Sequence, residues 1–373
     1  MAESTRLVDL VQADIDRFLG EREPLLAAIA PDLAPFIDFS RDLLRGGKRF
    51  RALFCYWGWQ AASGHAPGFD PMSDDAPSSE LPAIVRAASA LEVFHAAALV
   101  HDDIMDNSDT RRGLHSAHRR FESLHAAGRW IGTGTTFGQS AALLLGDLLL
   151  SWSDELFEAS TQSLSDRESG VAARAEFNRM RMEVTAGQYL DILDERSWQS
   201  YPEADLLPRA HRVIVYKSAK YSIEAPLVIG AALAGATIDQ VDSLRRFGLP
   251  LGIAYQLRDD MLGVFGDPAV TGKPAGDDLS EGKRTVLIAL ARTLLAPNSR
   301  SLLDELLGDD ELTEQQVRML QASISDSGAV ERVERIIDHN VGLALAAIDT
   351  APISAASKVQ LRQLADTATR RVA

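Results

Sequence analysis

Two aspartate clusters have the residue types and spacing to bind metal ions. The first, HDDIMD at residues 101–106, holds Asp102, Asp103 and Asp106. On a helix, Asp102 and Asp106 share a face because they lie four residues apart. Like charges at this spacing repel, and a helix C-terminus disfavours anions. Either solvent relieves this charge at an exposed helix end, or a hard cation such as Mg²⁺ binds the carboxylates and shares substrate phosphates.

A second cluster has the same design. Asp259 and Asp260 follow an apolar stretch in YQLRDD, residues 255–260. An unpaired carboxylate beside an apolar core is costly, so a bound cation is favoured over solvent where apolar helices lead into the acids. Two such helices could face each other across a cavity with their acids at one rim. Metal ions there would bind a diphosphate.

Basic residues supply the complementary charge. RGGKRFR, residues 45–51, places Lys48 and Arg51 just after a glycine pair, where the chain can approach a phosphate closely. Arg111 and Arg112 follow the first acidic cluster. Ordinary surface charge is the alternative for each of them. The later basic candidates are Lys217, Lys273 and Lys283.

Helices must position these side chains, because apolar residues recur at helical spacing and no β alternation or repeat is evident. A first helix is expected over 7–19 and a second from near Arg51. Loops are expected over 64–82, 107–136 (with a short helix) and 266–285. Long helices are expected over about 83–106, 137–160, 172–195, 209–235 and 238–266, followed by amphipathic helices in 286–371, where GDDELTEQQ is a helix start. We predict one all-α domain over residues 1–373.

The bulk composition excludes several classes of protein. A net charge of −15 argues against nucleic acid as a partner. A single cysteine, Cys55, excludes an intramolecular disulfide and fits a cytoplasmic location. The N-terminus has no basic region followed by an apolar block, so we expect no signal peptide. The apolar runs 83–100 and 141–150 are interrupted or short, so we expect no membrane span.

In combination, the motifs resemble those of the trans-isoprenyl diphosphate synthases, the polyprenyl synthetase family. GGKRFR, HDDIMDNSDTRRG, GQYLD, YKSA, YQLRDD and GDPAVTGKPAGDDLSEGKRT occur in the family's order over about residues 40–290. The resemblance implies an antiparallel helical bundle around a deep apolar cavity, in a homodimer. It implies head-to-tail condensation of isopentenyl diphosphate with an allylic diphosphate, with three Mg²⁺ ions per site.

The resemblance also implies roles for individual residues. Metal ligands are expected at Asp102, Asp106, Asp191 and Asp259, supported by Asp103 and Asp260. Arg111 matches the contact to the allylic diphosphate. The isopentenyl diphosphate pocket matches Lys48, Arg51, His95 and Arg112. Further substrate contacts match Gln188, Lys217, Lys273 and Lys283, and Ser218 and Gln256 match polar groups near the reacting carbons.

Three positions qualify the match. A histidine on an apolar helix is usually a core residue, and only the spacing of His95, seven before Asp102, favours a substrate role. His101 adjoins the acids, but no chemistry is assigned to it. The family's second motif commonly reads D-D-x-x-D, whereas the fifth position here is Gly263. Asp267 or Asp277 is expected to support the site instead.

Residues on the helix that bears Asp102 give a prediction of the product's chain length. In the family, bulky aromatics four and five positions before the first aspartate shorten the product, and here those positions are Ala98 and Ala97. Phe94 lies one turn deeper on nearly the same face as Ala98. Plain core packing remains the alternative for Phe94. As the floor of a tunnel, it predicts geranylgeranyl diphosphate, with farnesyl or longer products as alternatives.

Three other functions are weighed against this one. A class I terpene cyclase shares the first acidic motif, but would need an Asn/Asp, Ser/Thr and Glu motif in place of DDMLGVFGD. A metal phosphohydrolase built on the His101–Asp102 pair would need further metal-spaced histidines upstream, where only His65 and His95 occur. A non-catalytic partner subunit would lose acids, as at Gly263, but the intact first motif argues against it.

Overall fold

The computed structural model describes residues 2–63, 80–267, 276–309 and 311–370. Helices make up almost all of this part of the chain, and its strands are two residues long. The all-α prediction is therefore confirmed. The chain divides into two compact units, Met1–Ala175 with Pro226–Thr237, and Glu176–Ala225 with Ile238–Ala373. That the whole chain forms one domain stays a prediction.

The first unit contains helices that pack around one long apolar helix. They are α1 (Ala2–Ile29), a 3₁₀ turn (Pro31–Leu33), α2 (Ala34–Leu43), α3 (Phe50–Ser63), α4 (Leu81–Met105), α5 (Ala117–Gly128), α6 (Gly134–Gln162), the start of α7 (Arg167–Ser197) and most of α9 (Ala225–Leu233).

Helix α4 is the centre of this unit. It is apolar on nearly all sides and packs against α1, α3, α5 and α6. A helix that is hydrophobic all round is a buried helix or a membrane span. Within the described part of the chain, α4 alone is long and apolar enough to cross a membrane, and 78% of its most apolar window is buried inside the protein. Burial of that kind is the placement of a core helix.

A small hairpin follows α4. Strands β1 (Thr110–Arg111) and β2 (Leu114–His115) pair antiparallel, with Thr110 opposite His115. Sequence analysis predicted only loop and a short helix here, because two residues per strand are too few to show alternation. The hairpin turns the chain back and fixes the direction of Arg111.

The second unit is also helical. Its elements are the rest of α7, a 3₁₀ turn (Trp198–Ser200), α8 (Glu203–Val213), a π-helix (Ile214–Glu224), α10 (Ile238–Phe265), α11 (Asp277–Glu281), α12 (Val286–Leu294), α13 (Pro297–Leu306), α14 (Glu314–Asp326), α15 (Ala329–Thr350) and α16 (Ala355–Thr369).

Helix α10 is the core helix of the second unit. It packs against the π-helix, α12 and the two last helices, α15 and α16. Arg258 secures this packing, since its guanidinium donates to both carboxylate oxygens of Glu334 at 2.5 and 2.7 Å. This ion pair holds the acidic end of α10 against α15.

The predicted helix boundaries agree closely for the long helices. The helix predicted over 83–106 is Leu81–Met105, and the one predicted over 238–266 is Ile238–Phe265. The predicted start in GDDELTEQQ is a capping box, in which Thr313 and Gln316 exchange hydrogen bonds. Helix α2 was missed. Most of the loop predicted over 64–82 lies outside the described residues, as do residues 268–275.

Candidate functional site

The first acidic cluster occupies the last turn of α4. The Asp106 N–H donates to the Asp102 carbonyl at 2.8 Å, so the two residues are one helical turn apart. Both are partly exposed, whereas Asp103 is buried at 1% exposure. The predicted pair of carboxylates on one face is therefore present, and Asp103 points elsewhere.

Asp103 is the partner of Arg111. The Arg111 Nε donates to Asp103 Oδ1 at 2.9 Å, and Nη2 donates to the same oxygen. Arg111 Nη2 also lies 3.8 Å from Asp102 Oδ2. Asp103 thus anchors the arginine of the hairpin beside Asp102, so that a carboxylate pair and a guanidinium adjoin one another. The contact suits a positioning role for Asp103, and the metal support that the sequence suggested stays a prediction.

A group of cations surrounds His95. The pKa of His95 is held well below its usual value, first by burial and then by the guanidinium groups of Arg51, Arg112, Arg111 and Arg49. The imidazole is therefore neutral near pH 7. The structure thus brings together three of the four residues predicted for the isopentenyl diphosphate pocket. The fourth, Lys48, is exposed in the loop between α2 and α3.

Arg112 is held in place by the glycine-containing loop. Its backbone has φ 54°, a left-handed conformation that is uncommon for arginine. The Arg112 Nη1 donates to the Leu43 carbonyl at 3.0 Å. A Cβ on Gly47 would lie 3.6 Å from Arg112 Nη2, and Gly47 itself has φ 83°. Gly47 therefore allows the loop to turn beside this guanidinium.

A buried ion pair that the sequence alone does not reveal holds this loop. Arg49 and Glu92 are each 4% exposed, and Arg49 Nη1 donates to Glu92 Oε2 at 3.1 Å. The other carboxylate oxygen accepts from the Ala52 N–H at 3.2 Å. A buried charge demands a partner. Glu92 within an otherwise apolar run was the signal that such a partner exists.

The second acidic cluster lies near the end of α10. Asp260 is 6% exposed and accepts from Gln256 Nε2 at 2.8 Å, while Asp259 is partly exposed. The pKa of Asp260 is raised well above its usual value, first by burial, then by the nearby carboxylates of Asp278, Asp259 and Asp191. Four acids therefore share a small volume, and their repulsion disfavours simultaneous ionisation.

Gly263 stands at the fifth position of the second motif, where the family commonly has an aspartate. A Cβ added at Gly263 would overlap the carboxylate of Asp278. The space that a side chain at the motif's fifth position would need is thus filled by an acid from α11. Sequence analysis pointed to Asp267 or Asp277 for this support. The structure adds a third acid, because Asp278 lies against Gly263, and support from Asp267 or Asp277 stays a prediction.

Two lysines offset part of the negative charge in the second unit. Lys217, on the π-helix, donates to Asp191 Oδ2 at 2.5 Å. Lys283 Nζ lies 3.5 Å from the same oxygen and donates to Glu195 at 2.8 Å. The Asp191 carboxylate, predicted as a metal ligand, is thus bound to two ammonium groups.

The other predicted residues fall in the same regions. Ser218 and Gln188 are partly exposed, on the π-helix and on α7. Lys273 lies outside the described residues. On α4, Phe94 and Ala97 are buried, at 4% and 0% exposure, and Ala98 is partly exposed.

His101 is explained by packing. A Cβ on Gly146 would overlap the His101 ring, so α6 uses glycine where this imidazole lies against it. The ring nitrogen is 3.4 Å from the Leu143 carbonyl. This placement accounts for His101 without catalytic chemistry.

The donor chemistry of both clusters fits a hard divalent cation. Within the described ranges, no three His, Cys, Asp or Glu side chains meet in a ready-made metal centre. The Asp102–Asp106 pair and the Asp259–Asp260–Asp278 group each offer a few carboxylate oxygens. Mg²⁺ is typically bound by one or two carboxylates, keeps several waters and shares substrate phosphates. The excess negative charge around Asp260 is also what a bound cation would relieve.

Comparisons with known proteins support the same interpretation. The sequence matches the polyprenyl synthetase family over residues 36–324. It is 32% identical over 289 residues to a geranylfarnesyl diphosphate synthase from Aeropyrum pernix, and the match covers 77% of this chain and 83% of the relative.

Solved structures match over nearly the whole chain. A geranylgeranyl pyrophosphate synthase from Corynebacterium glutamicum, complexed with isoprenyl diphosphate and magnesium, matches with a TM-score of 0.89 and 37% identity, over 98% of this chain and 99% of that chain. A polyprenyl synthase from Caulobacter crescentus CB15, complexed with calcium and isoprenyl diphosphate, matches with a TM-score of 0.75 and 27% identity, over 100% and 98% of the two chains.

Proposed function

The chain belongs to the polyprenyl synthetase family, and we propose that it condenses isopentenyl diphosphate head-to-tail with an allylic diphosphate in a magnesium-dependent reaction. One observation carries the proposal: the carboxylates of α4 adjoin Arg111 and a group of cations around His95. That arrangement provides binding groups for metal and for phosphate in one unit. The magnesium-bound relative from Corynebacterium glutamicum supports the choice of cation.

The proposed roles in the first unit come from the family resemblance, and the contacts support them. Asp102 and Asp106 would hold Mg²⁺, which when bound neutralises the allylic diphosphate and makes it a better leaving group. Arg111, oriented by Asp103, contacts that diphosphate. Lys48, Arg51, His95 and Arg112 bind isopentenyl diphosphate. A neutral His95 donates one hydrogen bond to a phosphate oxygen without adding charge.

The second unit supplies the rest of the proposed machinery. Asp259 would hold Mg²⁺, with Asp260 and Asp278 beside it and Asp191 near. Lys217 and Lys283 contact diphosphate oxygens. Ser218 and Gln256 direct polar atoms toward the reacting carbons and stabilise developing positive charge. Gln188 and Lys273 add further substrate contacts.

The reaction balances without any other reactant. The allylic C–O bond breaks, and its electron pair leaves with the diphosphate. The double bond of isopentenyl diphosphate attacks the allylic cation and forms one carbon–carbon bond. Loss of one proton restores a double bond and gives an allylic diphosphate one isoprene unit longer. The protein's part is to position both substrates, exclude water and stabilise charge.

We also propose that the chain acts as a homodimer in the cytoplasm. Large apolar side chains are exposed together at the end of α5 and the start of α6: Trp130, Ile131, Phe137, Leu143 and Leu144. The Trp130 and Phe137 rings pack at 5.1 Å between centroids. Large apolar side chains exposed in one region favour an interaction site. Light scattering tests the proposal, since a monomer mass of 40.5 kDa would contradict it.

The main product is proposed to be geranylgeranyl diphosphate. Ala97 and Ala98 leave α4 narrow near the acids, and Phe94 adds bulk one turn deeper. Farnesyl and longer products remain the alternatives, and the relative from Aeropyrum pernix is named for geranylfarnesyl diphosphate.

The deciding experiment is an assay of the purified protein alone. It is incubated with Mg²⁺, isopentenyl diphosphate and each allylic diphosphate in turn, and the products are identified. Longer allylic diphosphates support the proposal. Cyclic hydrocarbons from an allylic diphosphate alone would indicate a terpene cyclase. Release of phosphate without chain growth would indicate a phosphohydrolase, and inactivity would indicate a partner subunit.

The two adjacent arginines are expected to serve different substrates. Arg112→Ala should raise KM mainly for isopentenyl diphosphate, and Arg111→Ala should raise KM mainly for the allylic diphosphate. Each loses charge-assisted hydrogen bonds worth about 1.5–3 kcal/mol, or roughly 10–100-fold in affinity. Initial rates with each substrate varied in turn measure the split. Equal increases in both constants for both variants would show that the assignment is wrong.

Two substitutions on α4 are expected to shift the product in opposite directions. Ala98→Phe should shorten the product toward farnesyl diphosphate, because it places a ring across the proposed tunnel. Phe94→Ala should lengthen it by removing the floor. Chromatography of the dephosphorylated products measures chain length. An unchanged product distribution in both variants would mean that this helix does not set the length.

A further inference from the structure

A second group of arginines lies in the second unit, outside the residues assigned to the reaction. It lines a small, partly open recess formed by the end of α7, α8 and α12. Arg209, Arg284 and Arg292 line it together with Trp198 and Asp194. Arg284 lies within the motif GDPAVTGKPAGDDLSEGKRT, but none of these side chains is assigned a role in the reaction.

Two of the three arginines of the recess are hydrogen-bonded to carboxylates, and the third is not. Arg209 Nε donates to Asp194 at 2.8 Å, and Arg292 donates to both oxygens of Asp304 at 2.6 and 2.8 Å. Arg284 has no hydrogen-bonded carboxylate, although Asp304 and Glu195 are near enough to act on its charge. Its Nε and Nη1 are buried, without a hydrogen-bond partner among the described residues.

Donors remain available on two arginines. Besides the two nitrogens of Arg284, the buried Nη1 of Arg292 also has no hydrogen-bond partner in the described part of the chain. Arg292 is only 8% exposed. A buried donor without an acceptor costs roughly 1–3 kcal/mol, and more when it is charged. Three arginine nitrogens beside the recess, Arg284 Nε and Nη1 and Arg292 Nη1, therefore lack an acceptor oxygen among the described residues.

Trp198 holds both guanidinium groups in fixed positions. The Arg284 guanidinium carbon lies 4.1 Å from the Trp198 ring centroid, and that of Arg292 lies 4.7 Å away. Burial lowers the pKa of Arg284 to about 10, so it stays charged at neutral pH. Two pre-positioned planar groups suit an anion with several oxygens, because guanidinium forks match oxyanion geometry.

We propose that this recess is a binding site for a small phosphate-class oxyanion, separate from the substrate site. Ordered water in place of an anion is the structural alternative, but water brings no negative charge to Arg284, whose buried Nε and Nη1 have no hydrogen-bond partner among the described residues. An oxyanion bound to Arg284 and Arg292 would connect the segment before α12 to α12 itself. Because both guanidinium groups lie over Trp198, it would also connect α12 to the end of α7.

The recess is positioned to influence the reaction residues. Arg284 directly follows Lys283, which contacts Asp191 and Glu195 on α7. Asp194, whose carboxylate lines the recess, adjoins Glu195 on the same helix. An occupied recess would therefore steady Lys283 and the end of α7. Binding itself does not depend on the proposed reaction.

Thermal unfolding of the whole protein tests the proposal. The melting temperature is measured without Mg²⁺ or isoprenoid substrates, in chloride buffers of matched ionic strength, with orthophosphate in one series and pyrophosphate in another. We expect a rise of roughly 2–4 °C at saturation in the wild type. Arg284→Gln should lose at least half of that rise. The series with the lower half-saturating concentration identifies which anion the site prefers.

Two matched variants separate this site from other sources of anion binding. Arg318→Gln removes one exposed arginine from the same unit, and Arg112→Gln removes a cation of the proposed substrate pocket. Both should keep a rise from the recess that Arg284→Gln loses. An equal rise in Arg284→Gln and the wild type, or no rise in the wild type, would overturn the proposal.

A second readout covers the case in which Arg284→Gln fails to fold. Arg292→Lys keeps the charge but loses the fork, and should weaken anion binding at least several-fold. Trp198 fluorescence, isolated by subtracting the spectrum of Trp198→Phe, should change on addition of the anion. A Trp198 signal that ignores both anions would show that the recess does not bind them.

Discussion

Replacing Asp102 or Asp259 by alanine is expected to abolish turnover while leaving the fold intact. Both residues are partly exposed at the ends of core helices, so neither supports packing. Each lies in a group of acids whose excess negative charge a cation would offset. Losing one group that stabilises developing charge typically lowers kcat by about 10²–10³-fold. Rates at saturating Mg²⁺ and saturating substrates measure the effect.

Stability provides the control for this prediction. Without metal, the melting temperature of each variant should equal or exceed that of the wild type, because a repelling charge has been removed. Asp109→Ala is the matched control for the first unit, since Asp109 lies just beyond the cluster, is 70% exposed and pairs with Arg119. It should keep near-normal turnover. A near-normal rate in Asp102→Ala or Asp259→Ala would remove that residue from the metal site.

The sequence predicted the long helices well because their apolar faces repeat at the helical period. Motifs predicted three further features: the second cluster of acids, the arginines after the first cluster and the glycine loop. Helix α2, Ala34–Leu43, was missed because it is short and has prolines at its start: Pro31 lies just before it, and Pro35 is its second residue. The π-helix at Ile214–Glu224 was also missed, since no residue pattern distinguishes it from a continuous α-helix.

Contacts between distant residues were the main gap. A sequence shows that Glu92 is a charge in an apolar run, but not that Arg49 is its partner. Likewise, three guanidinium groups around His95 were predicted singly from motifs, whereas their joint effect on its pKa required their positions. Pairing depends on how loops and helices pack, which local pattern does not determine.

The fifth position of the second acidic motif is the clearest case. The sequence showed that Gly263 lacks a carboxylate and that several acids follow. Asp267, Asp277 and Asp278 all lie within reach by chain length, and only packing selects one. Because a Cβ at Gly263 would overlap the Asp278 carboxylate, that acid occupies the space of the missing side chain. We propose that Asp278 takes over its role beside Asp259 and Asp260.

Exchanging the two positions tests this substitution. Asp278→Ala is expected to lower kcat by roughly 10–100-fold, the loss typical of removing a group that supports a metal ligand. Gly263→Asp alone should also lose activity, because its carboxylate and that of Asp278 compete for one space and repel. The double variant, Gly263→Asp with Asp278→Ala, restores one carboxylate there and should be more active than either single variant. The kcat and the Mg²⁺ concentration for half-maximal rate measure both effects.

The logic depends on the interaction between the two substitutions rather than on either loss alone. A purely structural role for Asp278 would make the two losses add, since the sites would fail for separate reasons. Recovery in the double variant requires that both positions deliver a carboxylate to the same place. Asp277→Ala is the matched control, as it removes the neighbouring acid of α11 and should not be rescued by Gly263→Asp. A double variant no better than Asp278→Ala would show that Asp278 fills the space without supporting the metal.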